Sequence, residues 1–234
     1  AAACFFMFAG AADGSGQPAQ NVPSLRAATV TASIHLDGLF EEPAWETAET
    51  IQDFTAVEPT QGANPTGHTL VRVLASQTSL FIGVQCEDPD PAGIVTFTKQ
   101  RDASLRSEDN IRIVIDTFLD GRSGYVFQVN PSGARYDALI NPGGDTENSN
   151  WDGIWDAATH RDEHGWSAEF WIPTQSLSFA KDLRTWHFNI ERRIQRLQET
   201  DRWASPQRDF KLTQTSRAGL LTDLPPLRQG RGTT

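Results

Sequence analysis

Two indoles lie four residues apart among amides and carboxylates in Asn150-Trp151-Asp152-Gly153-Ile154-Trp155, which follows the polar loop 141–150. An indole face stacks on the C–H face of a sugar ring while Asn and Asp bond its hydroxyls. A mostly apolar surface with a few placed polar groups is the usual makeup of a ligand site. Residues four apart in a regular strand share a face about 13 Å apart, too far to enclose one ring. The segment must therefore bend at Asp152-Gly153, or the indoles must touch successive rings. Trp151 is the expected platform, with Asn150 and Asp152 beside it and Trp155 as second wall or support. The competing reading is that both indoles pack inside the protein, and it weighs more for Trp155.

Charged groups give two further expectations. Arg192, Arg193 and Glu199 suggest a charge network beside the ligand face. Consecutive strand residues point to opposite faces, so only one of the two arginines can reach the ligand. If Asn189, Glu191 and Arg193 share the polar face, Arg193 is that contact, and its fork of donors suits carboxylates or vicinal hydroxyls. Glu87, Asp88 and Asp90 cluster in a Pro-braced turn, and Asp102, Glu108 and Asp109 follow in a polar loop. Clustered carboxylates with loop carbonyls are what a calcium ion needs, so a structural calcium is expected there. The alternative is a solvated acidic loop paired with Arg101 and Arg106.

Catalytic signatures are scarce. There is no G-x-S-x-G elbow, no G-x-x-x-x-G-K-[ST] loop and no H-E-x-x-H helix. Gly14 and Gly16 are not a dinucleotide fingerprint, so no nucleotide is expected. Cys86 ends an apolar strand and reads as a small core residue. The five histidines fall on different elements. A glycosidase would need two acids across a cleft, and Glu169 and Glu191 are mid-strand candidates that ion pairs explain more cheaply. Met7 is the only methionine and lies in the apolar opening, which argues against haem. A net charge of −10 with scattered Lys and Arg makes nucleic acid a poor partner.

The elements that must position these residues are short strands. Stretches 70–74, 79–86, 110–116, 125–130, 135–140, 165–172 and 186–194 are β-rich and separated by Gly, Pro, Asn and Asp. In 166–172 the alternation sends Trp166, Ala168, Phe170 and Ile172 one way and Ser167, Glu169 and Trp171 the other. Many short strands at this spacing predict an all-β antiparallel sandwich or barrel. Helix signals are few: Pro43 and its acidic neighbours within 41–48, and one turn at 173–177.

Four segments follow from the composition. Residues 1–12 are apolar and read as the remnant of a signal peptide, with 9–11 fitting its small-residue cleavage pattern. Residues 13–27 read as a flexible linker, 28–222 as one β domain, and the Pro/Gly-rich 223–234 as a linker to a missing C-terminal region. The expected location is therefore outside the cytoplasm, in the periplasm, at the outer membrane or beyond the cell.

Leu36-Asp37-Gly38 with Glu42-Pro43-Ala44-Trp45 resembles the opening of the family 9 carbohydrate-binding module. The remaining marks resemble the N-terminal domain of the DUF5916 type of bacterial proteins. They include Cys86-Glu-Asp-Pro-Asp-Pro91, Arg101-Asp102, Ile115-Asp-Thr117, Tyr125 through Gly133, the 150–155 segment, Ile172-Pro173, Arg192-Arg193, Trp203 and Ser216 through Gly219. They run in family order from about 34 to 221. The resemblance implies a jelly-roll-like β-sandwich of the family 9 type, a saccharide held between two tryptophans, structural calcium, and a following membrane-associated β-barrel. The leading expectation is thus a non-catalytic saccharide-binding domain of a secreted or outer-membrane-associated protein, serving polysaccharide breakdown or uptake. A structural or interaction domain attached to the barrel comes next, and a glycoside hydrolase last.

Overall fold

The computed structural model describes residues 22–229. The apolar segment 1–12, linker residues 13–21 and the last five residues lie outside the described part. The strands in chain order are β1 (Ser24–Arg26), β2 (Ala28–Thr29), β3 (Thr50–Ile51), β4 (Thr55–Glu58), β5 (Thr69–Ala75), β6 (Ser79–Glu87) and β7 (Asn110–Asp116). They continue as β8 (Gly124–Val129), β9 (Arg135–Ile140), β10 (Glu147–Asn148), β11 (Asp156–Arg161) and β12 (Gly165–Pro173). The last are β13 (Trp186–Ile194), β14 (Glu199–Arg202) and β15 (Gly219–Thr222). The only α-helix among the described residues is α1 (Pro43–Glu46), with Pro at its start as the sequence suggests. The turn expected at 173–177 is a 3₁₀ turn at Thr174–Ser176.

These strands form two stacked sheets. The nine-stranded sheet runs β1-β15-β13-β7-β8-β9-β10, with β14 and β4 continuing from the other half of the β13 edge. The six-stranded sheet runs β11-β12-β6-β5-β2, with β3 also on β5. All pairings are antiparallel except β1 with β15 and β2 with β5. Those two parallel pairs make the sheets mixed rather than purely antiparallel. Both come from one arm that crosses from the first sheet to the second between Arg26 and Ala28.

That arm corrects the expected boundary. Leu25 and Ala27 are buried in the main core, and Ala27 donates its N–H to Thr222 O at 3.0 Å. The linker expectation for 13–27 therefore fails over 24–27. At the other end Leu224 is buried, its N–H bonds to Arg184 O at 3.1 Å, and Arg228 N–H bonds to Gln77 O at 2.7 Å. The stretch through Arg228 belongs to the domain.

The alternation read for 166–172 builds the core. Trp166, Ala168, Phe170 and Ile172 meet Ile111, Ile113, Phe127, Phe188 and Ile190 of the opposite sheet. Trp45, Trp166, Trp186 and Trp203 are all buried, as expected for core or edge packing. Two smaller apolar clusters lie outside the sandwich. Leu212 covers Val114, Val126, Ala138 and Ile140 on the outer face of the first sheet. Trp45 covers Leu74 and Val30 on the outer face of the second.

Candidate functional site

Strand alternation decides which polar groups can meet a ligand. On β13, Phe188, Ile190 and Arg192 point into the core, so Glu191 and Arg193 point outward. Register then aligns Arg112 of β7 with Glu191 of β13, and Glu191 with Arg202 of β14. The result is a row across three strands with alternating charge on the outer face of the nine-stranded sheet. Opposite charges directly across strands support one another. Arg202 Nε donates to Glu191 Oε1 at 2.6 Å. Arg112 donates to Glu147 of β10, which also accepts from Tyr136 OH at 3.3 Å.

This row floors an open cleft of about 500 Å³. One wall is the segment 208–213. Arg202 holds that loop by donating to Ser205 O at 3.1 Å and Phe210 O at 2.8 Å. Arg208 ties it to β4 through Val57 O at 3.2 Å and the Glu58 carboxylate at 2.8 Å. Lys211 meets Asp145 at 3.2 Å, and Thr213 donates to Gly144 O at 2.6 Å, which joins the wall to the turn before β10. Phe210 lines the cleft, with the Arg217 guanidinium 4.4 Å over its ring. Aromatic surface, fixed polar groups and open access occur together here.

Sequence reasoning did not single out this cleft. Arg112 is visible as the polar residue inside the apolar run 111–115, but Glu147 and Glu191, which it meets, lie far along the chain. The ion pair expected for Glu191 is present, and its partner is Arg202.

The Asn150–Trp155 segment lies elsewhere. Trp155 is 3 % exposed; its ring stacks on Phe170 at 5.9 Å and meets Phe127 edge-on at 5.1 Å. Of its two expected roles, this position leaves support and excludes an open second wall. Trp151 is half-buried against Tyr125 and Phe127, at 5.1 and 6.1 Å. Asn150 and Asp152 are exposed, and Asp152 pairs with Arg101 at 2.5 Å. Asp137 anchors the segment: it accepts from Trp155 Nε1 at 3.0 Å, Gly153 N at 2.7 Å and Arg101 at 2.8 Å. A Cβ at Gly153 would sit 2.6 Å from the Trp151 ring.

Arg193 lies on the cleft face and donates to Gln195 Oε1, Thr200 Oγ1 and Gln198 Oε1 at 3.1, 3.1 and 2.6 Å. Trp151 packs on inward-facing Tyr125 and Phe127, so the sheet separates it from Arg193. The expectation that the two share a ligand surface is corrected by that geometry. Arg192 instead crosses the core. It donates to His68 O at 3.0 Å, Thr69 Oγ1 at 3.2 Å and Glu87 O at 2.9 Å in the second sheet.

The acidic residues expected to hold calcium have protein partners in this structure. Arg196 holds both oxygens of Asp88, at 2.8 and 2.6 Å, and approaches Asp90 at 3.6 Å. Glu87 faces His68 at 3.6 Å, and Asp102 faces Arg101 at 3.5 Å. Glu108 accepts Phe97 N–H at 2.7 Å, and Asp109 Oδ1 accepts Gln195 N–H at 3.0 Å. Among the described residues no three His, Cys, Asp or Glu side chains are grouped to hold a metal. Most of these carboxylates already have arginine or backbone donors.

On the second sheet, Glu169 organises the Asp37–Trp45 motif. It is buried under the Trp45 cluster, and its oxygens accept Asp37 N–H at 3.0 Å, Gly38 N–H at 2.9 Å and Trp45 Nε1–H at 3.2 Å. Burial pushes its carboxyl up to about 7 despite the two backbone donors. A smaller cavity of about 250 Å³ opens beside this motif, lined by Gly38, Phe40, Gln85, His160 and Ser167 among others. Glu169 and Glu191 occupy outer faces of opposite sheets, so they cannot face each other across one cleft. Cys86 is buried and its thiol is pushed up to about 12 by that burial, which leaves it unreactive as a nucleophile.

The architecture matches solved carbohydrate-binding proteins. A family 9 carbohydrate-binding module from Caldicellulosiruptor kristjanssonii, in complex with cellotriose, superimposes with a TM-score of 0.59 at 12 % identity, over 91 % of this chain and 97 % of that one. The same organism's module with glucose gives 0.56 at 11 %, over 91 % and 99 %. A candidate carbohydrate-binding protein from Bacteroides uniformis gives 0.65 at 11 %, over 86 % of this chain and 99 % of that one. No family model matches the sequence, and no curated protein matches it. The fold is the β-sandwich of family 9 carbohydrate-binding modules.

Proposed function

We propose that the domain is a non-catalytic saccharide-binding module whose ligand lies in the cleft on the outer face of the nine-stranded sheet. The carrying observation is the row Arg112–Glu191–Arg202 beside Phe210. The ion pairs hold Glu147 and Glu191 in fixed directions, and their carboxylates keep lone pairs that suit neighbouring ring hydroxyls. An aromatic wall suits the C–H face of the ring. Solved sandwiches of this architecture carry cellotriose and glucose, which supports a saccharide as the ligand class. Nothing in the cleft pairs two acids for glycoside hydrolysis, since each carboxylate lining it is engaged by a cation.

The resemblance to DUF5916-type N-terminal domains supports an exported protein in which this module precedes a membrane-associated β-barrel and serves polysaccharide breakdown or uptake. Among the described residues, no helix is long and apolar enough to cross a membrane. A second reading, an interaction domain docking on that barrel, draws on the exposed Phe97 and Ile154. Calorimetric titration with a panel of oligosaccharides tests the first reading. Binding by the wild type that is lost in Arg112→Ala supports it; absence of binding across the panel favours the interaction domain.

A further inference from the structure

The charges lining the cleft do not balance. Four carboxylates line it, and each has a cation: Glu58 with Arg208, Asp145 with Lys211, Glu147 with Arg112 and Glu191 with Arg202. Arg106 is the fifth cation of the lining; it is exposed and makes no ion pair among the described residues. The lining side chains thus sum to one positive charge in a chain of net charge −10, with the exposed Asp209 of the wall segment outside that lining. The unpaired guanidinium attracts an anionic group over a short, salt-screened range.

Placement fits a ligand contact better than a role in the fold. Arg106 sits in the connection between the 3₁₀ turn Pro91–Gly93 and β7, just before the buried Glu108 and Asp109. Those two carboxylates are turned inward to backbone donors, so neither neutralises Arg106 from its own segment. Across the cleft, Arg112 is committed to Glu147 and Arg202 to Glu191 and to the loop carbonyls. Arg106 alone keeps its whole fork of donors for a second anion, and that fork matches a planar carboxylate or a sulfate in two-point contact.

We propose that the cleft takes a saccharide carrying an acidic group, a uronate carboxylate or a sulfate ester, with Arg106 as its counter-ion. This inference rests on the cleft being the saccharide site and adds the ligand's charge. The test titrates wild type and Arg106→Gln with three probes of equal length: a neutral cello-oligosaccharide, an oligogalacturonate and a sulfated galactan oligomer. The expected result is at least tenfold tighter binding of one acidic oligomer than of the neutral one. Arg106→Gln should erase that preference, Arg106→Lys should restore part of it, and added salt should weaken the acidic arm more than the neutral arm. The two acidic probes separate carboxylate from sulfate. Equal or tighter binding of the neutral oligomer, or equal loss for all probes in Arg106→Gln, overturns the acidic-ligand inference and leaves the saccharide reading standing. Binding of none of the three overturns both.

Discussion

Trp45 and Glu169 are joined on the outer face of the six-stranded sheet, the indole Nε1 donating to Glu169 Oε1 at 3.2 Å. The contact fastens the loop 37–45 over Gly83, where a Cβ would sit 2.7 Å from the Phe40 ring. Glu169→Ala would strand three donors at once, two of them buried. The expected cost is about 3 kcal/mol, a drop of about 6–12 °C in melting temperature for a domain of this size. A melt within 2 °C of wild type would show that the loop is not held through Glu169.

Two buried carboxyls set a pH dependence. Burial pushes both Glu169 and Asp201 up to about 7, from ordinary values of 4.5 and 3.8; beside Asp201, Glu199 adds repulsion. Their folded pKa values lie above the unfolded ones, so the folded state holds more protons between those limits. Stability from these groups is complete below about pH 4 and falls as pH rises to about 7. Each proton contributes roughly 1.4 kcal/mol per pH unit within its window. Urea unfolding at pH 5 and pH 7.5 should show lower stability at pH 7.5, and the double variant Glu169→Gln, Asp201→Asn should flatten the difference. An unchanged slope in the variant would contradict the assignment.

Adjacent arginines should behave differently. Arg192 is fully buried between the sheets, and its loss leaves two carbonyls and the Asp88 carboxylate short of a partner. Arg192→Ala should cost about 3–5 kcal/mol. Arg193 bonds only side chains near the surface, so Arg193→Ala should cost below about 1 kcal/mol. Denaturant midpoints for the two variants give the comparison, and similar losses would contradict the inward and outward placement.

The tryptophans of 150–155 should separate in the same way. Trp155→Ala removes a ring stacked in the core and should cost about 3–5 kcal/mol. Trp151→Ala should cost less, because part of that ring is exposed, and should leave affinity for a cleft-bound saccharide within twofold of wild type. A large loss of affinity in folded Trp151→Ala would return the binding site to the 150–155 segment.

Period-two patterning made much of the frame legible. The strands at 110–116, 135–140 and 186–194 fall on the expected residues, and the inward row Trp166, Ala168, Phe170, Ile172 is the core face of β12. The arm Ser24–Thr29 was not legible, because two-residue and three-residue strands carry no periodicity and their parallel partners lie up to about 200 residues away. Glu169 reads as a solvent-facing residue by alternation, yet a second apolar layer from residues 40–48 covers it. The cleft was hidden for a related reason. Arg112, Glu191 and Arg202 are ordinary polar strand residues until register brings them side by side, and local sequence does not encode register between distant strands.

Amide chemical-shift mapping locates the ligand most directly. Two-dimensional ¹⁵N spectra of the domain would be recorded during titration with the tightest-binding oligosaccharide. The largest shifts are expected on Arg112, Glu191, Thr200 and the loop 208–213, with Asn150 through Trp155 little moved. Shifts concentrated on Asn150, Trp151 and Asp152, with the cleft residues unchanged, would contradict the cleft as the binding site.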